Sequence, residues 1–213
     1  MGITLFGFVL FLHISFVVVA FAMAGIVHAG LPAMASARDV SHMRPWAVLL
    51  HRLDPLFPVV ALVLLGLGSW LVHLGAHTGD GFSFKDGWVI TSIVTLVVIE
   101  GIAGALLAPT AKRLVAAIHE APDGPPSAEL RTAARDPKIW YPGHIATFGF
   151  LGIVFVMATK PAGGWAWLFP TVGAAVGIAL ARLQIARLEH SAHGGAVPAQ
   201  RASTTPATAA EHV

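Results

Sequence analysis

Of 213 residues, 56% are hydrophobic and 11% charged, and the mean hydropathy is +0.75, a balance that excludes a water-soluble surface for most of the chain. The formal charge of +2 sits in short connections between apolar runs, where it sets topology rather than binding nucleic acid. Cysteine is absent, which excludes disulfides, thiolate zinc sites and Cys-ligated iron–sulfur clusters and leaves His, Met, Lys and carboxylates as ligands.

A helix needs about 20 apolar residues to cross roughly 30 Å of hydrocarbon, and five runs approach or exceed that length: 3–34, 56–74, 88–108, 141–159 and 165–183. The fourth is short and draws on Ile139, Trp140 and Tyr141 as an interfacial belt. The first has no Lys or Arg before it and is far longer than a signal h-region, so the AMASA stretch at 33–37 is read as part of an uncleaved span. Eleven of the 13 Lys and Arg residues fall in the first and third connections or after the last span; Lys85 and Lys160 are the exceptions. The positive-inside rule then predicts an outside N-terminus and a cytoplasmic C-terminus. The predicted fold is an all-α polytopic membrane bundle, a four-helix core plus a C-terminal helix, in the inner membrane. Residues 120–130 read as a Pro-rich linker and residues 190–213 as a disordered cytoplasmic tail whose His190, His193 and His212 are solvated.

The first span carries His13 and His28. Counting about 1.5 Å per residue, His13 lies roughly 15 Å inward from Ile3, and Glu100 of the third span roughly 18 Å inward from Trp88. Both are therefore expected near the midplane, facing each other, as a proton relay or with Glu100 orienting His13 toward a ligand. His28 lies on the same broad face as His13, in the cytoplasmic half, level with His144 at the start of the fourth span and with His51 before the second. A b-type haem or another tetrapyrrole held by His28 and either partner is the leading expectation, with His13 a further ligand candidate and Glu100 a supporting group. The metal-ligand candidates are thus His13, His28 and His144. His51, His73 and His77 read as interfacial side chains. Met23, Met34, His42 and Met43 offer thioether and imidazole groups that suit copper(I).

Gly173 with Gly177 forms GxxxG, and Gly101 with Ala105 a second small-residue pair; both permit close helix contact, homo-oligomerisation or docking to a larger membrane complex. Pro58 and Pro170 fall in the first turn or two of their spans and shape helix starts. Three functional classes follow: a tetrapyrrole-binding, redox-associated membrane protein, a non-catalytic accessory subunit, and a proton-coupled carrier using His13 and Glu100. No reaction is assigned.

The LH of FLHISF, the Arg-bearing connection ending RLDPLFPVVALVLLGLGSWLV, and the VMATKP that closes the fourth span resemble the bacterial family of predicted integral membrane proteins called domain of unknown function 2269, over residues 3–161. The Met157, Lys160, Pro161 ending is its most specific part. More distantly, the first-span histidine is similar to copper-resistance D type membrane proteins and to HemJ-type protoporphyrinogen oxidases, in which a histidine and a lysine are associated with haem. That resemblance implies that His13 matches the histidine, while the second span lacks the expected lysine.

Overall fold

The computed structural model describes residues 4–78 and 81–194. These form helices α1 (Leu5–Ala35), α2 (Val40–Leu53), α3 (Leu56–Thr78), α4 (Gly87–Ile102), α5 (Ala108–Glu120), α6 (Ala128–Ala134), α7 (Pro137–Thr159) and α8 (Leu168–Gly194), with no strand among the described residues. Five helical segments are long and apolar enough to cross a membrane, and the chain is a multi-pass membrane bundle. Helix α8 continues past Glu189, where the tail was expected to begin, and residues from 195 onward, including His212, lie outside the described residues.

Local chemistry sets the helix ends. The Thr4 side chain accepts from the Gly7 amide and opens α1, Asp39 caps α2 through the Ser41 amide, Ser127 caps α6, and Asp136 caps α7. Pro58 and Pro170 fall in the first turns of α3 and α8, where a missing N–H costs no hydrogen bond. Between α4 and α5 the chain makes a π turn, Ala103–Leu107. Pro109 explains it: with no N–H it cannot bond the Ala105 carbonyl, and the widened turn redistributes the freed acceptors.

Length produces a second layer. At about 1.5 Å per residue, α1 runs roughly 46 Å, well beyond the roughly 30 Å hydrocarbon core. Its last turns, with α2, α5, α6 and the start of α7, build a helical cap on the basic side of the bundle. Leu31, Met43, Ile118, Leu130, Ile139 and Trp140 pack together inside that cap. Arg44 pairs with Asp123 and donates to the Ala121 carbonyl at 2.7 Å, and the Val40 amide donates to Gly124 at 2.9 Å. These bonds strap α2 to the 121–127 loop. The first connection is therefore a packed amphipathic helix, and Ile139 and Trp140 are core residues at 1% and 0% exposure instead of an interfacial belt. The Trp140 indole finds its buried acceptor in the Ala134 carbonyl at 3.0 Å.

Within the membrane, α1 packs closely on α3 and α4 closely on α7, while the α3–α4 and α1–α7 seams are thin. Helix α8 lies against α7 along glycine-lined backbone. A Cβ on Gly152 would fall 2.6 Å from the Pro170 Cα, and one on Gly177 would fall 2.5 Å from the His144 carbonyl oxygen. The GxxxG pair Gly173 and Gly177 is thus used inside the chain, whereas a Cβ on Gly101 would meet nothing within 4 Å.

Candidate functional site

Between the α1–α3 pair and the α4–α7 pair lies an apolar cavity of about 600 Å3 in the half of the bundle away from the cap. Its walls are aliphatic and aromatic side chains of four helices together with Phe82 and Phe84 of the α3–α4 connection. Apart from Trp88, the polar side chains on it are His13, Ser69, Ser92 and Lys160. Ser92 is already satisfied by the Trp88 carbonyl at 2.8 Å; of the other three, Ser69 offers a hydroxyl, while His13 inside and Lys160 at the rim offer an imidazole and an ammonium.

His13 is 7% exposed and is seated by the absence of a side chain at Gly68, where a Cβ would lie 3.3 Å from the ring Cε1 and 3.8 Å from Nδ1. The Leu64 carbonyl is the ring's polar neighbour on α3. Nδ1 is buried with no hydrogen-bond partner. The ring thus turns its Cε1–Nδ1 edge to α3 at Gly68, and an imidazole whose nitrogen has no protein partner is the kind that ligates a metal.

Lys160 closes α7 in a left-handed conformation, φ 46° and ψ 55°, with its amide bonded to the Val156 carbonyl at 2.8 Å. That turn swings the ammonium over the Phe82 ring at 4.4 Å and toward Trp88 at 5.8 Å. No local sequence pattern announces this aromatic seat.

His28 and His144 form a separate site at the cap end of the bundle. Their ring centroids are 4.5 Å apart, edge to face. The Thr147 hydroxyl donates to the Gly143 carbonyl at 3.0 Å and accepts from His28 Nε2–H at 2.9 Å. His144 Nδ1–H donates to the Trp140 carbonyl at 2.8 Å, leaving Nε2 a buried lone pair without a partner. Depth places both His144 and His51 level with His28, and of the two it is His144 that meets it. The expected haem between them does not fit, because rings in direct contact leave no layer for a macrocycle and the cavity that reaches Thr147 is only about 70 Å3.

His13 and Glu100 are not brought together. Trp88 shares the 600 Å3 cavity with Phe6, so Glu100, twelve residues further on, comes level with Ala20 and Phe21, and it lines the small cavity with them and with Thr147. That places it about 10 Å beyond His13 along the bundle. The counting erred because α1 and α4 do not enter the membrane at equivalent residues. Among the described residues the Glu100 carboxyl makes no hydrogen bond or ion pair, while its backbone carbonyl accepts from the Ala103 amide.

The remaining candidates disperse. His51 is exposed on α2, and His73 and His77, both exposed, meet edge to face with ring centroids 4.6 Å apart. Met34 and Met43 are buried in the cap, Met23 packs with Val60 and Leu64, and His42 is exposed, so these four do not converge on a copper ion. Among the described residues no three His, Asp or Glu side chains are grouped to hold a metal. No family model, curated protein or solved structure matches the chain, so the resemblances drawn from FLHISF and VMATKP stand on those residues alone.

Proposed function

We propose that this protein binds a tetrapyrrole, b-type haem, within the bilayer in a redox-associated role, and that the site is the α1–α3/α4–α7 cavity, where His13 would hold the iron. The reading rests on one observation: an apolar cavity of about 600 Å3 with a single buried imidazole on its wall and a single ammonium, Lys160, at its rim. Pockets of about 300–1,000 Å3 with apolar walls and few polar groups suit planar cofactors. His13 supplies the ligand nitrogen, Leu64 and Gly68 hold the ring, and Lys160 offers a partner for a propionate carboxylate. Bound iron would supply one-electron chemistry tuned by its axial ligand and by the apolar walls. The basic cap fits a cytoplasmic face, and hence an inner-membrane location, by the positive-inside rule.

The test is a pyridine haemochrome assay on protein produced with ample haem and purified in mild detergent. Near-integral haem per chain supports the reading, and colourless protein refutes it. A second reading, an accessory subunit of a larger membrane complex or homo-oligomer, draws on the open small-residue pair Gly101 and Ala105. Co-purification of a partner that Gly101→Leu abolishes is the measurement that would favour it.

A further inference from the structure

The cavity wall is not closed on all sides. On α1, His13 lies on the flank turned to α3, against Gly68, while Ile14 is about 100° further round the helix, lines the same cavity and is 52% exposed. Leu10, at 37% exposure, shares that outer flank. Across the thin α1–α7 seam, Ala158 of α7 also lines the cavity and is exposed. Toward the cap the same seam is shut, because His28 bonds Thr147 and packs on His144. The seam is thus clasped at one end and lined by exposed apolar side chains at the other.

We infer that the α1–α7 seam is a lateral portal and that the cavity takes its ligand from the hydrocarbon phase of the bilayer, as a membrane-dissolved amphiphile whose anionic end stops at Lys160. The inference rests on the ligand-binding reading of this cavity. Three features agree with it. The portal residues are apolar, so a hydrophobic ligand crosses them without desolvating polar groups. Lys160 follows the last residue of α7, at the end of the span, so a carboxylate held there stays near the interface while the apolar body enters. The Phe82 and Trp88 rings, stacked edge to face at 5.5 Å under the Lys160 ammonium, cover the cavity on its water side.

The test uses the full chain in lipid nanodiscs and haemin predissolved in the lipid. The Ile14→Trp/Ala158→Phe variant fills the portal while leaving His13 and Lys160 in place. Its expected behaviour is haem uptake slowed at least about tenfold, as for any narrowed entry path. Uptake at the wild-type rate overturns the portal. A ligand-free measurement separates this from failure of the haem reading. The chain has no cysteine, so a nitroxide can be placed at Ile93→Cys on the cavity wall or at Val97→Cys on the lipid face, which is 58% exposed. Collision with molecular oxygen at Ile93 comparable to that at Val97, and reduced by the portal-filling pair, supports the portal even if no haem binds. Collision with a water-soluble nickel chelate in place of oxygen, or with neither, overturns it.

Discussion

His28 of α1 and His144 of α7 meet edge to face with ring centroids 4.5 Å apart, and each ring also hydrogen-bonds a protein oxygen: the Thr147 hydroxyl for His28 and the Trp140 carbonyl for His144. This pair joins two helices. His13, 15 residues before His28, sits alone on a cavity wall with a free ring edge. One helix thus carries two histidines of opposite kind, and substitution should separate them.

His28→Ala removes the bond to Thr147 and the ring contact. An interhelical hydrogen bond in a membrane contributes about 0.5–2 kcal/mol, and the loss of stability should fall in that range. Unfolding in detergent should register it, with haem stoichiometry unchanged. A loss of haem without a loss of stability would show that His28 is a ligand after all.

The α7–α8 contact makes a sharper steric prediction. Gly177→Ala drives a Cβ to 2.5 Å from the His144 carbonyl oxygen, and Gly152→Ala drives one to 2.6 Å from the Pro170 Cα. Backbone cannot yield as a flexible side chain does, so each should cost about 1–3 kcal/mol. Gly101→Ala meets open space and should be neutral or gain about 0.5–1 kcal/mol from helix propensity. Thermal unfolding of the three variants side by side checks the order.

Lys160 carries two effects that nearly cancel. Its left-handed backbone costs about 1–2 kcal/mol relative to glycine, while its ammonium over Phe82 returns about 0.5–2 kcal/mol. Lys160→Gly should leave stability within about 1 kcal/mol of the parent. Haem affinity should fall about tenfold, the worth of one charge-assisted contact, while affinity for the dimethyl ester, which lacks carboxylates, should stay level. Equal losses for both ligands would remove Lys160 from the recognition scheme.

Outside the membrane, Asp39 caps α2, accepting from the Ser41 amide at 2.8 Å, and hydrogen bonding from Ser41, its side chain first and its amide second, holds the carboxyl below the usual value of 3.8. The folded form is therefore favoured by the ionised carboxylate. Its contribution is fully present above 3.8 and is lost as pH falls through the lower folded value. Amide exchange at Ser41 should quicken on that acid limb, and Asp39→Asn should abolish the pH dependence.

Five membrane-crossing segments were legible because apolar runs of that length have few alternatives. Depth places His28 level with both His144 and His51, and only packing selects His144. The cap was not legible, because α2 and α5 are amphipathic, and an Arg-bearing stretch between spans reads as a connection until Met43 and Ile118 are seen packed together. Counting along helices also misplaced Glu100 relative to His13, since a count fixes distance along an axis and neither the starting level nor the rotation. The cavity left no signature in any one segment. Its walls come from four helices, and the residue that seats His13 is Gly68, one of 22 glycines.

The most direct test of the central claim is the reduced-minus-oxidised absorption spectrum of three purified proteins: the parent, His13→Ala and His144→Phe. The account predicts a b-type α-band in the parent, its loss in His13→Ala with the fold retained by circular dichroism, and its survival in His144→Phe. A band that survives in His13→Ala, or disappears with His144→Phe in a folded protein, would contradict it.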